Sequence, residues 1–166
     1  AAKSREVISA GMEEASSAIE LDGAVILHNT STYQNVTFYI KLSVGKQPVD
    51  LRENNMTVSF TTDFYHAANI YDGGTNGLAS GEKAAFSEIT GDGDNLLESG
   101  EKWMLKINVS KVLEGQSQTK LNSGDWFTVE LKPTTGGILT IKRTLPSNID
   151  TVTDLGTYMW MGDSLR

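Results

Sequence analysis

The residues predict a mainly β protein, an antiparallel β-sandwich or barrel of immunoglobulin-like type, preceded by one amphipathic N-terminal α-helix. Three observations carry this. Apolar residues recur with period two in several short runs, the mark of half-buried strands. Clusters of Gly, Asn, Asp and Pro separate those runs at short spacing, as in sandwiches and barrels. Only the first stretch of the chain carries the helical period.

That stretch runs from about Ser4 to Glu20. Ile8, Met12, Ala15 and Ile19 fall at i, i+4, i+7 and i+11 and would share one helical face. Ser4 suits the N-cap, Glu6 the first turn, and Gly23 the stop. Residues 1–22 are therefore expected as a helical segment and residues 23–166 as a β-domain.

Beyond Gly23 the strands follow in order. Ala24 to Leu27 is short and apolar. Thr37 to Val44 places Phe38, Ile40, Leu42 and Val44 on one face. Gly45 and Pro48 mark a turn before Val49 to Leu51, and Met56 to Thr62 alternates again. Residues 63–80 read as a long loop whose Phe64, Tyr65 and Tyr71 would lie on the sheet. Ala84 to Ile89 leads into an acidic turn, and Trp103, Leu105, Ile107 and Val109 alternate out of it. Residues 110–120 read as a polar loop. Trp126, Thr128 and Glu130 then share one face and Phe127, Val129 and Leu131 the other, and Ile138 to Ile141 returns as the hairpin partner. Tyr158 to Met161 is a candidate last strand.

Composition narrows the function. The 166 residues suit one domain with a sizeable core. A net charge of −7 argues against nucleic acid or an anionic membrane surface, which both call for a basic patch. With no cysteine, zinc–thiolate sites and cysteine nucleophiles are excluded. No run approaches the ~20 apolar residues of a membrane helix, and the opening A-A-K-S-R-E has no apolar h-region, so a mature or trimmed form is expected.

The acidic turn is the densest chemistry. Asp92, Asp94, Glu98 and Glu101 crowd four carboxylates into ten residues and repel unless a cation sits among them. A twelve-residue calcium loop takes ligands at positions 1, 3, 5, 7, 9 and 12. With Glu101 at the last position, the candidate ligands are Thr90, Asp92, Asp94, the Leu96 carbonyl, Glu98 and Glu101, and the candidate cofactor is a structural Ca2+. A solvated acidic turn between two strands is the simpler alternative.

Four sequons, at Asn29, Asn35, Asn55 and Asn108, favour an exported, exposed surface. Asn35 and Asn108 are expected on the outward faces of their strands, where a glycan would have room. No catalytic residue is assigned. His28 and His66 have no metal-ligand spacing, and no nucleophile elbow, P-loop or dinucleotide fingerprint occurs. Phe64, Tyr65, Tyr71, Trp103, Trp126 and Trp160 could line a sugar-binding face but read more simply as core residues.

In consistent order, several phrases resemble the archaellins, the archaeal flagellins. Val7 to Gly23 (V-I-S-A-G-M-E-E-A-S-S-A-I-E-L-D-G) is similar to the stretch by which their long N-terminal helix leaves the filament core. Asn35 to Leu51 resembles their first core strands. Gly91 to Ile107 resembles their acidic turn and next strand, and Leu121 to Pro146 their closing hairpin. The likeness spans nearly the whole chain.

The resemblance implies a structural subunit of the archaeal motility filament, the archaellum, located outside the cell. Its partners would be copies of itself and other archaellins. A pilin-like signal peptide, polymerisation through the N-terminal helix and N-glycosylation come with the family, and metal binding with some relatives. The hydrophobic half of the family's helix precedes the position that Ala1 occupies. The expectation is a shortened chain that alone stays monomeric or weakly self-associating. An archaeal pilin or adhesin and a calcium-dependent carbohydrate-binding module are the alternative readings.

Overall fold

The computed structural model describes residues 17–73 and 81–156. In chain order the strands are β1 (Ile19–Leu21), β2 (Ile26–Asn29), β3 (Gln34–Leu42), β4 (Val49–Asp50), β5 (Met56–Thr62), β6 (His66–Ala67), β7 (Ala84–Thr90), β8 (Leu96–Leu97) and β9 (Lys102–Asn108). A single helical turn, α1 (Val109–Val112), precedes β10 (Trp126–Pro133), β11 (Leu139–Thr144) and β12 (Val152–Asp154).

Two antiparallel sheets make the body. One runs β12-β2-β3-β9-β7, with β1 also paired to β3; the other runs β11-β10-β5-β6. Alternation decides which side chains meet between them. Val36, Phe38 and Ile40 of β3, and Trp103, Leu105 and Ile107 of β9, bury one side of the first sheet. Val58 and Phe60 of β5, with Phe127, Val129 and Leu131 of β10, bury one side of the second. All join one continuous hydrophobic cluster. Phe60 and Phe127 stack at 5.8 Å, and Tyr71 meets the edge of Phe86 at 4.9 Å.

Several expectations change. The helical face was expected to include Ile19, but Ile19 is fully buried in β1 and pairs with Leu42. A β-branched apolar residue gains more from the sandwich core and a ladder partner than from one more helical turn. Ile8, Met12 and Ala15 lie outside the described residues, as do Trp160 and the candidate strand from Tyr158 to Met161. Val44 does not share the buried face of Phe38, Ile40 and Leu42. β3 ends at Leu42, and the turn beyond it leaves Val44 99% exposed.

Residues 110–120 are not uniformly a polar loop. Asn108 Oδ1 accepts from the Lys111 amide and caps α1, burying Val112 and Leu113. In the long segment after β5, Tyr71 reaches the core and its hydroxyl donates to the Leu51 carbonyl. Phe64 stays on the surface. The strand β12, antiparallel to β2, lay in sequence too irregular to read as one. Among the described residues no helix is long and apolar enough to cross a membrane.

Candidate metal centre

The acidic loop joins β7 to β9, and neighbouring elements position it. The register between those strands shifts between Glu88 and Thr90, a bulge that leaves Ile89 half exposed and redirects the chain. Midway along the loop, β8 pairs with β4, placing Leu96 opposite Asp50 and Leu97 opposite Val49. The Leu51 amide donates to the Asn95 carbonyl at 2.9 Å, and Leu97 is fully buried. A buried leucine and a short ladder therefore fasten a loop that like charge would otherwise open.

The tip closes on itself through carboxylates. The Asp92 amide donates to Glu101 Oε2 at 3.2 Å, and the Glu98 amide to Glu101 Oε1 at 3.0 Å. The Leu96 amide donates to Asp94 Oδ1 at 3.0 Å. Gly100, at φ +84°, permits the turn that brings the Glu101 amide onto the Glu98 carbonyl. Glu88 is a participant the sequence reading missed: its Oε2 accepts from the Gly93 amide at 3.2 Å. A Cβ at residue 91 would stand 2.1 Å from that oxygen, so any side chain there would push Glu88 aside. Glu88 escaped notice because it precedes the acidic run and reaches it only through the bulge.

Asp92, Asp94, Glu98 and Glu101 offer oxygens that all lie within 4.8 Å of one another. Asp92 and Asp94 are exposed, Glu98 is half-buried and Glu101 is 9% exposed. None of the ion pairs among the described residues involves these four groups. Crowding divides them electrostatically. Partial desolvation and then the charges of Asp92 and Asp94 raise the Glu98 pKa, while hydrogen bonds from Asp94 lower that of Asp92. An all-oxygen set of anionic donors fits a hard divalent cation such as calcium. Of the other two expected ligands, Thr90 ends β7 opposite Lys102, and Leu96 lies in β8.

The remaining candidates are scattered. Asn35 and Asn108 face outward from adjacent strands, opposite each other. Asn29 Oδ1 accepts from Gln34 Nε2, and Asn55 Nδ2 donates to Asp50 at 2.9 Å. The aromatics among the described residues do not assemble a platform. Trp103 and Tyr71 are buried, and Trp126 lies half-buried under the Lys142 ammonium at 4.6 Å. His28 is half-buried, and exposed His66 shares a hydrogen bond with Thr61.

A two-sheet β-domain, fastened by its core and carrying one braced acidic loop, is the build of a structural module. The profile of the archaeal-type flagellins matches residues 1–143, and the chain belongs to that family. It is thus a structural subunit of the archaellum, the motility filament at the archaeal cell surface.

A probable flagellin 1 of Aeropyrum pernix is 36% identical over 165 residues, an alignment covering 90% of this chain and 77% of that one. A probable flagellin 2 of Archaeoglobus fulgidus is 32% identical over 164 residues, covering 91% and 76%. Among solved structures, the flagellin FlaB1 of Methanocaldococcus jannaschii superposes with a TM-score of 0.68 at 18% identity, covering 86% of this chain and 99% of that one. The archaeal flagellum of Methanospirillum hungatei gives 0.54 at 21%, covering 95% and 80%. At such identities these two likenesses speak for the fold.

Proposed function

We propose that this chain polymerises through its N-terminal segment and presents the sandwich as a glycosylated outer shell whose acidic loop is pinned by Ca2+. The convergence of Asp92, Asp94, Glu98 and Glu101 is the observation that carries the calcium part. Those four groups would hold the ion, and its charge would remove the repulsion that otherwise strains the loop. The task is mechanical and uses no catalytic residue. Subunits must stay joined under torque, and a loop clamped between β7, β8 and β9 resists local opening.

The first described residue, Ser17, is tied to the sandwich at one point. Ser17 bridges to Gly137 and donates from Oγ to its carbonyl, while Ser43 Oγ donates to the Ser17 carbonyl at 2.9 Å. An amphipathic helix carrying Ile8, Met12 and Ala15 would extend from there toward copies of the chain and, in mixed filaments, toward other archaellins. Four sequons support glycosylation of the shell.

Thermal melting in calcium and then in chelator tests the cation. A ligand that binds only the folded state adds about 2.7 kcal/mol at roughly 100-fold excess over its Kd, which raises Tm by several degrees for a domain of this size. Coincident curves would overturn the calcium reading.

A further inference from the structure

Two of the four sequons meet across the sheet. In the register of β3 and β9, Asn35 stands directly opposite Asn108. Asn35 opens Asn35-Val36-Thr37, and Asn108 opens Asn108-Val109-Ser110. Their neighbours Val36 and Ile107 are fully buried, so both asparagines project from the opposite, outer side. Directly opposed residues in an antiparallel pair hold their Cβ atoms about 4.5–5.5 Å apart. Two bulky glycans would have to leave the sheet from that one spot.

Their surroundings differ. Asn35 lies within the sheet, with His28 of β2 on its other side. Its Oδ1 is buried without a hydrogen-bond partner among the described residues. The same holds for Oγ1 of Thr37, the hydroxyl residue of its sequon, which is 6% exposed. The sheet thus closes over the amide oxygen of Asn35 and over the hydroxyl by which its sequon is read. Asn108 ends β9, where the chain turns away into α1. Its Oδ1 is fixed by the Lys111 amide at 3.0 Å, which orients the side chain and leaves Nδ2 outside any hydrogen bond among the described residues.

We propose that Asn35 and Asn108 form one glycan attachment point rather than two, with Asn108 carrying the sugar and Asn35 staying bare beside it. The inference rests on the glycosylated-shell reading above. In the transfer, Asn108 Nδ2 bonds to the anomeric carbon of a lipid-phosphate-activated glycan. The bond from that carbon to the phosphate oxygen breaks, the lipid phosphate leaves with the electron pair, and Nδ2 gives up one proton.

The test is glycopeptide mapping of the protein from native filaments, digested so that Asn29, Asn35 and Asn108 fall on separate peptides. Intact mass then counts glycans per chain. The expected result is a modified Asn108 peptide and an unmodified Asn35 peptide. Asn35→Gln should leave the glycan count unchanged. Asn108→Asp, which keeps the cap on α1, should lower it by one. Sugars on both residues of one chain, or on Asn35 alone, overturn the inference while leaving the shell reading intact. Absence of sugar at all four sequons overturns both.

Discussion

Gln34 and Leu121 bind each other as two strands would. Gln34 Nε2 donates to the Leu121 carbonyl at 2.9 Å, and the Leu121 amide donates to Gln34 Oε1 at 2.8 Å. Both residues are buried, and the Gln34 amide also donates to Ser110 Oγ. One side chain thereby satisfies both backbone groups of a distant loop residue. Gln34→Leu would keep the volume and strand both groups. The expected loss is about 2–6 kcal/mol, measured by denaturant unfolding, since each of the two buried unpaired polar groups costs about 1–3 kcal/mol. A loss under about 0.5 kcal/mol would show that water replaces the amide.

The loop variant Asp92→Asn/Asp94→Asn removes two charges from a cluster whose oxygens lie within 4.8 Å of one another. In chelator it should melt at or above the parent temperature, because repulsion is relieved. In calcium the rise seen for the parent should vanish. A variant that still responds to calcium would place the ion elsewhere.

Trp103 is packed in the core, yet its indole N–H has no hydrogen-bond partner among the described residues. Trp103→Phe therefore gives up packing but no hydrogen bond, and should cost about 1–2 kcal/mol. Trp103→Ala should cost about 3–5 kcal/mol through the cavity it leaves. A Trp103→Phe loss well above about 2 kcal/mol would mean that the N–H is bonded after all. Unfolding curves of the pair decide this.

Asp50 is held below the usual carboxylate range, at about 2 against 3.8, mainly by its hydrogen bonds from the Arg52 side chain. A depressed carboxylate stabilises the fold above its unfolded pKa, and that contribution disappears as pH falls through the folded value. Tm should therefore fall between about pH 4 and pH 2 partly on account of Asp50. Asp50→Asn should lower Tm near neutrality and flatten this part of the profile. Parallel profiles would remove Asp50 from the acid response.

The sequence by itself determined the alternation of β3, β5, β9 and β10. Period two obliges Phe38, Ile40, Phe60, Leu105 and Val129 to one side, and burial follows wherever a second sheet covers that side. It also determined the acidic run, because four carboxylates within ten residues must converge in any tight loop.

Tertiary structure decided the rest. Ile19 fits a helical face or a strand equally by spacing, and only the presence of β3 beside it selects the strand. Val44 continues an alternation that ends two residues earlier, where the chain turns. Glu88 reaches the acidic loop only because a bulge bends β7. Asn35 and Asn108 are 73 positions apart in the chain, and their meeting is a fact of register. Local spacing encodes which face a residue takes, whereas strand pairing, which sums many weak long-range contacts, decides which residues become neighbours.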